Sequence, residues 1–301
     1  MSSAGLSRVP PTALVLAAIA SVQIGAAFAA ILLPRLGVPG TVLVRLAVAS
    51  LVLLLVARPR LAGMPRAAWR TVLAFGVTLG AMNACFYGAL ARLPIGVAVT
   101  VEFTGPLVLA AVLSRRLRDG LAVLAAAVGV VLVADLAHAR LDQVDLVGLA
   151  LGLGAGACWA AYIVLSGRTA RALPGLDGLA VAMVVATACV LPFGIGGAGS
   201  WQPTDLAIGA GVALLSSVLP YSLELVALRR MRPEVFGVLM SLEPAVAALA
   251  GLAVLGQVLG GWQIAGMVLV VVASVVVLGR AGPPAEPDAP PESVGLGPAG
   301  P

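Results

Sequence analysis

Two short stretches set a carboxylate beside a proline inside chain that is otherwise apolar. "EFTGP" carries Glu102 and Pro106, and "SLEP" carries Glu243 and Pro244. A charged side chain costs roughly 2.5–3.5 kcal/mol at the centre of a membrane helix, so each carboxylate needs a reason to be there. Proline removes a backbone donor and frees a carbonyl, leaving polar backbone that must face protein or water rather than lipid. A carboxylate next to broken backbone, twice in one chain, points to a polar cavity, with Glu102 facing a substrate path. The competing reading is structural, with Glu102 or Glu243 held in a buried ion pair and Arg45 as its partner.

Other polar side chains fall at helical spacing. Asn83 and Tyr87 are i,i+4, while Trp159 and Tyr162, and Tyr221 and Glu224, are i,i+3, so each pair shares a helix face. Gln23 is the main polar interruption of its segment. Each of these, taken alone, fits packing or an interhelical hydrogen bond as well as a ligand contact. Arg45 either neutralises a buried carboxylate or meets the carboxylate of a bound molecule. Glu224, close to the end of its segment, either faces the path or snorkels outward to Arg229 or Arg230.

Enzyme chemistry has little to build on. His138 is the sole histidine and falls at a predicted loop edge, and no Ser/Lys dyad or aspartate pair stands out. "GLGAGA" (152–157) resembles a phosphate loop in composition only, since no lysine follows, and reads as close helix packing. Cys85, Cys158 and Cys189 are widely separated inside predicted helices, a spacing that suits neither a metal site nor a disulfide. No metal or cofactor is expected.

The elements that position these residues are membrane helices. The 301 residues are 61% hydrophobic and 10% charged, with a mean hydropathy of +1.10, far outside the range of soluble domains. Apolar runs of about 20 residues, enough to cross a bilayer core, recur from end to end. Breaks at Pro, Gly and Arg clusters predict ten spans: 12–33, 37–57, 70–91, 94–114, 119–137, 145–165, 177–198, 205–228, 233–255 and 261–279. The first is read as an uncleaved helix rather than a signal peptide, because no secreted domain follows it.

The net charge of +5 comes from arginine alone, as the chain has no lysine. With a cytosolic N-terminus, fourteen arginines fall on the inner side and only Arg35, Arg92 and Arg140 on the outer, so both termini are placed inside. No soluble domain gathers that charge into one face, which argues against nucleic-acid binding. Residues 1–11 form a short cytosolic N-terminus, and 281–301, with seven prolines, a disordered cytosolic tail. Aligning Pro106 with Pro244 sets an offset of 138 and divides the spans into two sets of five, 12–137 and 145–279. An odd number per set makes the second enter the membrane upside down, the inverted-repeat plan.

With these features placed, "VEFTGPL" (101–107), "SRR" (114–116), "LGAGACWAAYIVLSGR" (153–168), "LPYSLELVALRR" (219–230) and "FGVLMSLEPAVAALAG" (236–251) strongly resemble the threonine/homoserine exporters. These belong to the EamA-type branch of the drug/metabolite transporter superfamily. The similarity runs from "SVQIGAAFA" (21–29) to about residue 275 and leaves out the tail. It implies an all-α polytopic protein of ten helices in two inverted five-helix repeats, set in the inner membrane. It also implies proton-driven efflux of small hydrophilic amino acids through a cavity lined by spans 1, 3, 4, 6, 8 and 9. Those spans carry Gln23, Asn83, Tyr87, Glu102, Trp159, Tyr162, Tyr221, Glu224 and Glu243, and Arg45 matches the family's arginine in span 2. The expected partners are thus an amino-acid substrate, protons and the lipid bilayer. Oligomeric state is left open. Two other readings stay in play: an exporter of the same fold with different cargo, and a non-transporting membrane scaffold or sensor whose carboxylates are structural.

Overall fold

The computed structural model describes residues 9–59, 64–114, 117–133, 145–173, 176–228, 230 and 239–278. The described residues are helical nearly throughout. This follows from the composition, because backbone polar groups in hydrocarbon must be satisfied within their own segment. Helix α1 runs Pro11–Ala57 but turns at Gly37, whose φ of 66° lies in the left-handed region that glycine tolerates. That turn separates two arms, 11–36 and 38–57, at the break expected between the first two spans. Then come α2 (Arg66–Leu90), α3 (Ile95–Ser114), α4 (Leu117–Val133), α5 (Leu146–Ala172) and α6 (Asp177–Gly194). A short 3₁₀ segment, Ile195–Ser200, leads to α7 (Pro203–Ala213). One π-helical turn, Leu214–Val218, joins α7 to α8 (Leu219–Leu228). The described chain ends with α9 (Glu243–Leu255) and α10 (Gly261–Leu278).

Five of these segments are long and apolar enough to cross a bilayer: Pro11–Ala57, Arg66–Leu90, Ile95–Leu113, Leu146–Thr169 and Asp177–Ser200. The protein is a multi-pass membrane protein. Its outward side chains are large and apolar, among them Leu55, Leu113, Phe193 and Val258, as a lipid-facing surface requires.

One call shifts in position. Glu243 and Pro244 were expected well inside a helix spanning 233–255. In the structure Ser241 and Leu242 form a turn, and Glu243 and Pro244 open α9. Proline is favoured there because the first-turn N–H groups have no partner in any case. Pro244 therefore starts a helix, whereas Pro106 lies inside one that continues through it. Residues 281–301, 134–144 (with His138) and 231–238 lie outside the described residues.

Close packing at glycines sets the walls. A Cβ on Gly105 would collide with the Gly156 carbonyl oxygen, and one on Gly156 would stand 2.5 Å from the Glu102 carbonyl oxygen. Helices α3 and α5 thus meet backbone to backbone, the expected role of "GLGAGA". Helices α4 and α10 do the same, since a Cβ on Gly129 would lie 2.8 Å from the Gly266 oxygen and one on Gly266 would strike the Gly129 oxygen.

Polar termini are pinned at the ends. Asp145 caps α5 by accepting from Gly148 N at 2.7 Å and from Arg92 Nη1 at 2.8 Å. Asp205 accepts from Gln202 N at 3.0 Å at the start of α7 and pairs with Arg35 at 2.9 Å.

Two predictions follow from these contacts. Gly156→Val should force α3 and α5 apart at a cost of about 1–3 kcal/mol. That is read as a clear fall in thermal midpoint in detergent, while Gly167→Ala, whose Cβ meets nothing within 4 Å, should not lower it. The Asp145 carboxyl is held below its ordinary range, chiefly by the Gly148 N–H and next by Arg92. A depressed folded pKa gives stability above the unfolded value of about 3.9 and loses it as pH falls through the folded value. The difference in thermal midpoint between the protein and Asp145→Ala should therefore be present at pH 7 and shrink below about pH 4.

Candidate functional site

Where α1, α2, α3, α5 and α8 converge with the start of α9, they enclose a cavity of about 550 Å³. Its lining includes Gln23, Arg45, Asn83, Tyr87, Glu102, Pro106, Trp159, Tyr162, Glu224 and Glu243. Two sequence candidates stand apart from this set. Pro244 is buried behind Glu243, and the Tyr221 side chain lies outside the described residues, although its backbone belongs to α8.

The cavity is arranged around Arg45, carried by the second arm of α1. Its Nε donates to Ser216 Oγ at 2.9 Å, its Nη2 to the Ser216 carbonyl oxygen at 3.2 Å, and its Nη1 to Asn83 Oδ1. Asn83 is oriented in turn by Nδ2 donating to the Leu79 carbonyl at 2.8 Å. The guanidinium carbon sits 5.6 Å from the Tyr87 ring centroid, within cation–π range. A guanidinium has five N–H donors in a planar fork. Among the described residues protein groups occupy three, which leaves one donor on each Nη.

Ser216 was not among the residues singled out from the sequence, and Pro220 explains its role. In an α-helix the residue at 220 would donate to the carbonyl of Ser216, but proline has no N–H. The turn widens instead, with Leu219 N reaching Leu214 O. Two carbonyls are thereby freed. Leu215 O accepts from Ser21 Oγ at 2.6 Å, and Ser216 O accepts from Arg45. The signal "SSVLP" was legible as a freed carbonyl four residues before a proline. Which side chain would take it was not. Pro106 likewise frees the Glu102 carbonyl, which lies against Gly156.

The three carboxylates are not spent on Arg45. The ion pairs among the described residues are Arg35–Asp205 and Arg92–Asp145, so the buried pair considered for Glu102 or Glu243 with Arg45 does not form. Glu102 nevertheless lies within electrostatic reach of Arg45, and Glu243 within reach of both Glu102 and Glu224. Glu243 is 6% exposed. Gln23 is 2% exposed, and its Oε1 has no hydrogen-bond partner among the described residues. A buried acceptor left unpaired costs about 1–3 kcal/mol, so this oxygen is poised for a donor.

Aromatic rings build the remaining wall. Trp159 meets Phe103 edge-on at 5.6 Å, and Tyr162 packs on Phe75 at 5.2 Å. Phe86 and Phe103 also line the cavity and were not picked out from sequence. Cys85 on α2 and Cys158 on α5 are free thiols, half-buried.

The helices thus bring an arginine fork, three glutamates and an orphan acceptor to one cavity. Comparison with known proteins agrees. The EamA-like transporter family matches residues 146–279. The chain is 41% identical over 267 residues to the threonine/homoserine exporter RhtA of Salmonella typhimurium (strain LT2), covering 88% of this chain and 90% of its relative. It is 40% identical over the same length to RhtA of Escherichia coli (strain K12), with the same coverage. The chain belongs to the threonine/homoserine exporter family of EamA-like transporters. These relatives are transporters rather than enzymes.

Replacing Arg45 by Lys keeps the charge but not the planar fork. Arg45→Lys and Ser216→Ala should each lower the thermal midpoint, with hydrogen bonds to a charged group worth about 1.5–3 kcal/mol. Because the two residues share contacts, the double variant should cost clearly less than the sum of the singles.

Proposed function

We propose that this chain exports small hydrophilic amino acids of the threonine/homoserine type across the inner membrane in exchange for protons. The observation that carries the reading is the polar chemistry of the cavity: Arg45, with a donor on each Nη not used by the described residues, beside three glutamates that form no ion pair with it. A zwitterion needs both. Its carboxylate meets the Arg45 fork, its ammonium meets Glu102, and the Gln23 oxygen receives a hydroxyl or ammonium hydrogen. The cargo named for the relatives, threonine and homoserine, has this chemistry, and the cavity lies within the roughly 300–1,000 Å³ of small-molecule sites.

In this reading a proton and the substrate ammonium compete for one carboxylate, Glu102 or Glu243. Inward proton movement is thereby coupled to outward substrate movement. Alternating access comes from two inverted five-helix repeats, 12–137 and 145–279, with both termini cytosolic and ten crossings in all. Two features support the repeat. Gly129 and Gly266 touch reciprocally across α4 and α10, as equivalent positions at a pseudo-two-fold axis would. They are 137 residues apart, against 138 for Pro106 and Pro244. The packing of α2 on α5 also has a counterpart in that of α7 and α8 on the first arm of α1. Pro106 gives α3 a place to bend as one repeat rocks against the other.

The test is threonine counterflow in proteoliposomes, with and without a pH gradient. The intact protein should show threonine flux that the gradient drives, and Glu102→Gln or Glu243→Gln should lose the gradient dependence while remaining folded. Absence of both threonine and homoserine flux from folded protein would remove the cargo assignment. Flux of unchanged gradient dependence in both variants would remove these carboxylates from coupling and favour a structural role.

A further inference from the structure

Every α-amino acid carries the same ammonium and carboxylate, so groups that meet those two charges cannot tell one cargo from another. Selection has to fall on the side chain. Among the described residues that line the cavity, Gln23 alone has a buried polar side-chain atom without a hydrogen-bond partner, its Oε1. The residue is 2% exposed. It lies in the first arm of α1 between Ser21 and Gly25, and both of these press on the turn that receives Arg45. Ser21 Oγ donates to the Leu215 carbonyl at 2.6 Å, and a Cβ on Gly25 would stand 3.1 Å from the Ser216 Cβ. The backbone that carries the amide is therefore fixed beside the Arg45 anchor.

An amide oxygen accepts a hydrogen and gives none. A bound ammonium has stronger acceptors at hand, since Glu102, Glu224 and Glu243 line the same cavity and form no ion pair among the described residues. A neutral donor suits Gln23 better, and a side-chain hydroxyl is one. Val22 and Ala26 line the wall beside it and suit the carbons that bear the hydroxyl. A methyl group in the hydroxyl's place would cover the oxygen and leave it unpaired. A site built to bond a hydroxyl rejects the analogue that lacks one for this reason.

We infer that Gln23 is the residue that selects the cargo, accepting the side-chain hydroxyl of a small amino acid and thereby excluding aliphatic amino acids of the same size. The inference rests on the proposed binding of the α-carboxylate at Arg45 and the α-ammonium at Glu102. Those two contacts supply the affinity common to all amino acids, and the Gln23 oxygen supplies the difference between them.

The test uses the full chain in proteoliposomes and measures competition for threonine exchange by pairs of equal size, threonine against valine and homoserine against norvaline. In each pair the hydroxyl amino acid should compete about tenfold better or more, the scale of one buried hydrogen bond. Gln23→Met keeps the length and removes the acceptor, so that ratio should fall about tenfold. The thermal midpoint of the variant without amino acid should not drop, because the lost oxygen has no partner among the described residues. A ratio near unity in the intact protein overturns the assignment, as does a ratio unchanged in Gln23→Met, whether or not the midpoint falls. Threonine exchange with either of those results sinks this inference alone. A hydroxyl preference that Gln23→Met abolishes, with flux that no pH gradient drives, keeps Gln23 as the selector and removes the proton coupling. Absence of both threonine and homoserine exchange from folded protein removes the two together.

Discussion

A guanidinium set among apolar helices must be hydrogen-bonded or neutralised, and the way Arg45 meets that demand decides where the cavity lies. The cation is brought in by the second arm of α1, steadied by Asn83 and Tyr87 on α2, and received by Ser216 between α7 and α8. No carboxylate is used as a direct partner among the described residues. The charge is carried by neutral oxygens and a ring face, which leaves every nearby glutamate available. Had Arg45 paired with Glu102, each would have cancelled the other's use, and the site would have become an internal strut.

Pro220 makes this arrangement possible at little cost. By withholding one N–H it creates a free carbonyl at Ser216, and a freed carbonyl in a membrane helix has to find a donor. Arg45 is that donor. Ser21 settles the neighbouring carbonyl of Leu215 in the same way, which fastens the first arm of α1 to the widened turn. Beside this polar centre α3 and α5 meet through a contact that excludes side chains altogether, Gly105 against Gly156. Large aliphatic side chains cover the outside.

Much of this was legible in the sequence, for reasons of cost. Apolar length announced the helices, and the price of charge in hydrocarbon singled out Glu102, Glu243 and Arg45 without reference to any relative. Helical spacing paired Asn83 with Tyr87 and Trp159 with Tyr162, and the structure brings all four to one cavity. Ser216 was missed because a serine in a membrane helix ordinarily bonds back to its own turn, as Ser216 also does through Val212 O. Its second role exists only because Pro220 and Arg45 meet it in space. Pro244 shows a related point: sequence shows that a proline interrupts an apolar run, but not that the turn falls just ahead of it, at Ser241 and Leu242.

The contact that organises the cavity also joins two halves of the chain, since Arg45 lies before the midpoint and Ser216 after it. Any rocking of one half against the other has to carry the guanidinium with one partner set or the other. Asn83 and Tyr87 hold it to the first half through one hydrogen bond and a ring face, whereas Ser216 holds it to the second through two bonds. A carboxylate arriving at the free Nη donors adds a further pair of charge-assisted bonds. With that pair in place the guanidinium depends less on Ser216, so occupancy of the site bears on how firmly the halves are tied. In the proposed mechanism, binding and the movement of the halves are coupled through this one side chain.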